Sequence, residues 1–317
     1  MTISQGIIKR SLQQLLSNLI DYAGLFPPAQ LPLQAAVQNY AQYRQGPDRW
    51  MLGRFIIPAQ RLNELSMTAA NSLNTEGPFA FSIIGASGKD EHDFLANLNH
   101  DIEAIAQFTE QHEDRAQINV FEVRFPLTVL DNPERAKNLL REMQQRLQRI
   151  GSFRIFIEPP LSEHWLRHVS AVVEAASKYG AGFKLRCGGT TAAAFPTPTQ
   201  MVHAILSCHC QNIPMKFTAG LHHPICRFDA SVNAAMYGFL NVFAAGLLVD
   251  RLSDQQLETI LTDENPNHFV FDEHVFAWAT YAVPTEKIAQ LRQDFLLSYG
   301  SCSFDEPRGD LRALNLL

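Results

Sequence analysis

The sequence predicts an α/β fold of the (β/α)8 barrel (TIM barrel) type, in a single domain over residues 1–317, with an N-terminal helix and a C-terminal extension. Three observations predict it. Short apolar, β-branched or aromatic runs alternate with longer amphipathic patterns, which is the signature of βαβ units and a parallel sheet. Seven such units at ~30 residues each nearly fill the chain and leave room for an eighth. No linker, composition shift or low-complexity stretch divides the 317 residues.

The strands read at 19–26 (LIDYAGLF), 51–59 (MLGRFIIPA), 79–86 (FAFSIIGA), 118–126 (INVFEVRFP), 153–160 (FRIFIEPP), 182–189 (GFKLRCGG) and 213–220 (IPMKFTAG). Between them, apolar residues recur at steps of three and four over 33–44, 61–73, 93–111, 134–150 and 165–179, the spacing of an amphipathic helix. Asp131 ahead of Pro133 and Thr197 ahead of Pro198 read as helix caps followed by proline. For the eighth strand the reading is 268–278 (HFVFDEHVFAW), with 237–243 (YGFLNVF) as the alternative. A closed barrel takes ~250 residues. The surplus is assigned to a helix over 1–18 and to a helix plus tail over 284–317.

Composition narrows the function. Lys and Arg total 26 against 32 Asp and Glu, a net charge of −6, which argues against a nucleic-acid binder with a general basic face. No apolar run reaches the ~20 residues of a membrane-spanning helix. Five cysteines, odd in number, do not form a disulfide framework, and the first twenty residues lack the apolar stretch of a signal peptide. A soluble, cytoplasmic protein is expected, without nucleic-acid or membrane partners; a homo-oligomer is left open. Neither a Walker A sequence nor a Gly-x-Gly-x-x-Gly follows a strand, so no nucleotide cofactor is expected.

Parallel strands buried on both faces read as apolar runs. These strands instead carry charges at every second position: Arg54; Glu122 and Arg124; Arg154 and Glu158; Lys184 and Arg186; Lys216, followed by Thr218. Phe55, Phe121, Val123, Ile155, Ile157, Phe183, Leu185 and Phe217 fall on the other faces and suit packing under helices. The charged face therefore points into the barrel. An unpaired buried charge costs several kcal/mol, so the charges are either paired in a structural network or used in an active site. Five cationic positions (Arg54, Arg124, Lys184, Arg186 and Lys216) against two acids (Glu122 and Glu158) point to a small anionic substrate. Only two of the seven lysines, Lys184 and Lys216, sit in predicted strands, and these strands are adjacent. Mutual repulsion and desolvation are expected to leave Lys184 a neutral amine, as a Schiff-base nucleophile requires, unless Glu122 or Glu158 lies close enough to oppose them.

The stretches FKLRCGG, FPTPTQMVHAI and IPMKFTAG resemble the deoxyribose-phosphate aldolase family of class I aldolases. The resemblance makes Lys184 the Schiff-base lysine and Lys216 the second lysine. Glu122, in VFEVRFPLTVL, takes the place of that family's acid/base aspartate, and Asp21 looks like the aspartate of its first strand. Two departures stand out: Arg186 replaces a small residue, and Leu221-His222-His223-Pro224 replaces a second glycine and phosphate cradle. The expected activity is a lysine-dependent carbon–carbon lyase. Catalysis falls to Lys184, Lys216, Glu122 and Asp21. Substrate binding falls to Arg54, Arg124, Glu158, Arg186, Gly188, Gly189, Thr218, Gly220 and His222. Backbone N–H groups of Gly188 and Gly189 are candidates to cradle a phosphate. Two other readings are carried: a metal-dependent hydrolase or lyase using His222, His223 and carboxylates, and a non-catalytic ligand-binding barrel. GSCSFDEPRGD (300–310) is expected either to close over the barrel mouth or to pack on its side.

Overall fold

The apolar runs become strands and the amphipathic segments become helices in a closed, parallel, eight-stranded barrel. The structure, a computed structural model, describes residues 8–73 and 77–317. Seven strands lie within or beside the expected windows: β1 (Ile20–Tyr22), β2 (Leu52–Pro58), β3 (Phe79–Ile84), β4 (Ala116–Arg124), β5 (Arg154–Glu158), β6 (Gly182–Arg186) and β7 (Met215–Thr218). Helices Leu33–Tyr43, Leu62–Thr68, Glu91–Gln111, Pro133–Leu147, Trp165–Tyr179 and Pro198–Cys210 follow β1 to β6 in turn. Thr197 forms a capping box with Gln200. Pro133–Leu147 is capped by Asn132 and not by Asp131, which pairs with Arg167 and His168.

The eighth strand is β8 (Leu296–Ser301), which corrects both sequence assignments. It pairs with β1 through Tyr299 and Ile20, and with β7 through Tyr299 and Phe217. The 268–278 segment instead contributes Phe269–Phe271 and Val275–Trp278 to a separate antiparallel sheet completed by Tyr281–Pro284. The 237–243 run lies mostly inside helix Phe239–Leu247, whose nine residues are all buried; with only Asn241 polar, it shows no exposed polar face to reveal the helical period.

The N-terminal helix is shorter than read, Arg10–Leu16, and residues 1–7 of the expected 1–18 lie outside the described residues. Arg292 fastens this helix beneath the barrel. Its Nε donates to the Leu15 carbonyl at 2.8 Å and its Nη2 to the Ser17 carbonyl at 2.9 Å, while Nη1 donates to the Leu296 and Leu297 carbonyls. At the other end of the chain, helix Asp305–Ala313 completes the outer ring. Phe304 is buried beside Tyr43, with ring centroids 5.1 Å apart, so the helical part of the segment packs on the barrel side, while Gly300, Ser301 and Cys302 lie at the barrel mouth. No helix among the described residues is long and apolar enough to cross a membrane.

Candidate active site

The two faces of each strand separate as the alternation requires. Phe55, Phe121, Phe183, Leu185 and Phe217 are buried in the core beneath the helices, while the charged positions turn into the barrel. Lys184 and Lys216 are direct register partners on β6 and β7, as are Arg124 and Glu158 on β4 and β5.

Inside, the charges form one continuous ion-pair network. Lys184 Nζ lies 2.9 Å from Glu122 Oε2 and 3.2 Å from Glu158 Oε2. Lys216 Nζ lies 2.8 Å from Asp21 Oδ2 and also pairs with Glu122 Oε1, so Glu122 bridges the two lysines. Glu158 Oε1 accepts from Arg124 Nη2 at 2.6 Å and from Arg186 Nε at 2.9 Å. Asp21 accepts the Arg54 backbone N–H at 2.6 Å and the Ser298 hydroxyl at 2.8 Å. The Ser82 hydroxyl donates to Glu122 Oε1. Four side-chain cations (Lys184, Lys216, Arg124, Arg186) thus share three carboxylates (Asp21, Glu122, Glu158), one positive charge in excess.

This arrangement reverses the expected protonation of Lys184. Burial pushes its ammonium toward the neutral amine, but Glu122 and Glu158 outweigh burial and raise its pKa above the ordinary lysine value. Lys184 at rest is therefore a cation. The carboxylates respond in the matching sense. Burial pushes Glu122 up, yet Lys184 and Lys216 hold it well below the usual carboxylate range. Glu158 is pulled down to about 2 against the same burial effect, by Lys184, Arg186 and Arg124.

A cavity of about 490 Å³ opens above the network, at the carboxyl ends of the strands. Glu122, Glu158 and Lys184 line it together with Arg124 and Arg186; Gly189, Thr218, Gly220 and His222 also line it. Lys216 and Asp21 are buried behind Glu122 and do not line this cavity, which corrects any direct substrate contact expected of them. Arg54 is not in it either. Its guanidinium lies at the amino ends of the strands, 3.3 Å from Asn119 Oδ1, and lines a different cavity. Gly188 is likewise not part of the lining: its carbonyl accepts from Arg186 Nη1 at 3.3 Å. A Cβ on Gly188 would sit 2.9 Å from the Gly220 Cα, and Gly220 itself has φ +72°, so both glycines serve the close approach of two loops.

Ser82 and Ser298 escaped the sequence reading. Ser82 was legible as the one polar residue in FAFSII, while Ser298 lies on the strand that was not recognised. The paired histidines face the C-terminal helix. His222 Nδ1 lies 3.1 Å from Glu306 Oε2 and 3.9 Å from Cys302 Sγ, and His223 Nδ1 lies 2.5 Å from Asp310 Oδ2. Burial disfavours the His222 imidazolium, but Cys302 and Glu306 override it and raise its pKa to about 9. Cys302 and Glu306 both approach the same nitrogen, so the three do not form a relay of the nucleophile–base–orienter kind. Cys187 is buried and its thiol pushed up by burial, as a packing residue. Among the described residues no group of three or more His, Cys, Asp or Glu side chains converges as a metal ion would require.

No protein-family model matches the chain, and no curated protein matches it either.

Proposed function

We propose that the barrel is a carbon–carbon lyase of the aldolase type, in which Lys184 forms a Schiff base with a small anionic carbonyl substrate. The observation that carries this reading is Lys184 itself: a buried amine facing a cavity at the carboxyl ends of the strands, between two carboxylates. The excess positive charge and the exposed face of Arg124 favour an anionic substrate over a neutral one.

The network supplies a way to make the amine nucleophilic only when substrate is bound. An incoming carboxylate or phosphate competes for Arg124 and Arg186, which otherwise hold Glu158. Glu158, released from these two cations, becomes a stronger base 3.2 Å from Lys184 Nζ and takes its proton. The neutral amine attacks the substrate carbonyl, water leaves, and an iminium forms. In the cleavage direction a carboxylate, directly or through water, accepts the β-hydroxyl proton. The carbon–carbon bond breaks into the iminium, an aldehyde leaves, and the enamine is protonated and hydrolysed to regenerate Lys184. Lys216 and Asp21 act as positioning residues that hold Glu122 ionised and in place.

Enamine formation exchanges the hydrogens beside the carbonyl with solvent. With acetaldehyde and pyruvate as probes in deuterium oxide, the protein is expected to accelerate this exchange by at least tenfold. The rate is expected to rise with pH, because Lys184 must lose a proton held more tightly than usual. Lys184→Met abolishes the acceleration. Equal exchange with wild type and Lys184→Met overturns the reading.

A further inference from the structure

The amino-terminal mouth of the barrel holds a second cavity, of about 370 Å³, on the other side of the lysine layer. Its volume lies within the range of small-molecule sites. Arg54 and Arg154 line it together with Asn18 and Gln293. Among the described residues Arg154 makes no hydrogen bond or ion pair, and the Arg54 guanidinium has only the Asn119 side-chain oxygen, at 3.3 and 3.4 Å. Among the described residues no carboxylate lines this cavity. Asp21 is engaged by Lys216 and Ser298, and Asp294, exposed on the helix before β8, acts on Arg154 through its field.

The exposed Arg154 guanidinium and the half-buried Arg54 guanidinium therefore sit in each other's field, and among the described residues no carboxylate is bonded to either. Burial first, and the Arg54 charge second, push Arg154 below the ordinary arginine value. Two cations lining one cleft, with no carboxylate among its described lining residues, make it a region of positive potential that concentrates anions. The amino end of a barrel of this type ordinarily serves stability, not chemistry. A like-charge pair works against stability unless something anionic completes it.

We propose that the amino-terminal mouth is an oxyanion site, separate from the catalytic cavity, that binds a phosphate group between the Arg54 and Arg154 guanidinium groups. Two planar forks can share the oxygens of one tetrahedral phosphate, and the Asn18 and Gln293 amides offer further donors. The cavity admits either inorganic phosphate or a small phosphomonoester. Lys216 lines the same cavity from above while its Nζ binds Asp21 and Glu122, so occupancy below is felt by the network above.

Thermal unfolding of the full chain tests this, with inorganic phosphate and glycerol 3-phosphate as separate arms and sodium chloride matching the ionic strength. Wild type is expected to gain several degrees with at least one of the two. Arg154→Gln is expected to melt higher than wild type without phosphate, because the like-charge repulsion is gone, and to lose at least half of the phosphate shift. Arg54→Gln, the second variant, loses the shift in the same way. Arg186→Ala, which alters the catalytic cavity, keeps the part of the shift that Arg154→Gln and Arg54→Gln remove. A response to glycerol 3-phosphate alone identifies a phosphomonoester as the ligand, and a response to both identifies the phosphate group as sufficient. The proposal is overturned by a shift undiminished in both Arg154→Gln and Arg54→Gln, by one that disappears in Arg186→Ala alone, or by no shift in wild type with either compound.

Discussion

Glu122→Leu is expected to destabilise the protein by about 3–5 kcal/mol, the usual cost of removing one partner from a buried charge network. Glu122 is shared by Lys184 and Lys216 and is buried at 1% exposure, so neither ammonium group can turn to solvent instead. Removing it leaves four cations on two carboxylates. At ~2 °C per kcal/mol for a large domain, the melting temperature falls by ~6–10 °C. Adding Lys216→Met restores the original excess of one positive charge, and Asp21 keeps its bonds to the Arg54 N–H and the Ser298 hydroxyl. The double variant is therefore expected to be markedly less destabilised than the sum of the two single changes. Denaturant unfolding of the four proteins checks this. Additive losses would show that the bridge carries no coupling.

Acid is expected to remove the same interactions. Glu158 falls from an ordinary 4.5 to about 2 in the folded protein. The folded-state pKa is depressed, so its contribution is present above the unfolded value and disappears as the pH falls toward 2. A shift of this size corresponds to about 3 kcal/mol. Glu122, held lower still, adds a loss of the same sign. Asp101 works in the opposite sense between pH 6 and 4, because burial raises its pKa to about 6 despite the Ala86 N–H bond. Wild-type stability is thus expected to rise as the pH falls from 6 to about 4.5 and to fall steeply below. Glu158→Gln flattens the steep limb by about 3 kcal/mol. Urea unfolding at stepped pH measures it; an unchanged limb in Glu158→Gln would place the acid sensitivity elsewhere.

Much of this network is legible in the sequence because alternation along a strand is a geometric necessity. Once FKLRCGG and VFEVRFP are read as strands, Lys184, Arg186, Glu122 and Arg124 must share the inner side, and they do. Alternation gives the face of a residue but not its height in the barrel. Arg54 has the right face and the wrong end: Ile56, two residues further along β2, is the residue that reaches the catalytic cavity. Protonation is a sum over neighbours in space. The repulsion between Lys184 and Lys216 could be argued from adjacent strands. The two carboxylate contacts of Lys184 that defeat it come from β4 and β5, at distances no sequence spacing encodes.

The eighth strand was hidden for a different reason. LLSYGS mixes Leu296, Leu297 and Tyr299 with Ser298, Gly300 and Ser301, a weak apolar signal. The aromatic-rich HFVFDEHVFAW outside the barrel is a stronger one. The small residues have their own cause. Ser298 must reach Asp21, and a Cβ on Gly300 would meet the Ile56 side chain at 3.0 Å. A strand chosen for what it leaves open inside the barrel does not advertise itself by hydrophobicity.

Borohydride reduction in the presence of acetaldehyde or pyruvate, followed by peptide mass mapping, addresses the central claim most directly. Reduction converts an iminium into a stable secondary amine at the lysine that formed it. The account predicts that the adduct falls on the peptide containing Lys184, grows with pH, and is absent from Lys216, which is sealed behind Glu122. Adducts confined to surface lysines such as Lys9 and Lys89, or located on Lys216, would contradict it and leave Lys184 as a structural partner of its two carboxylates.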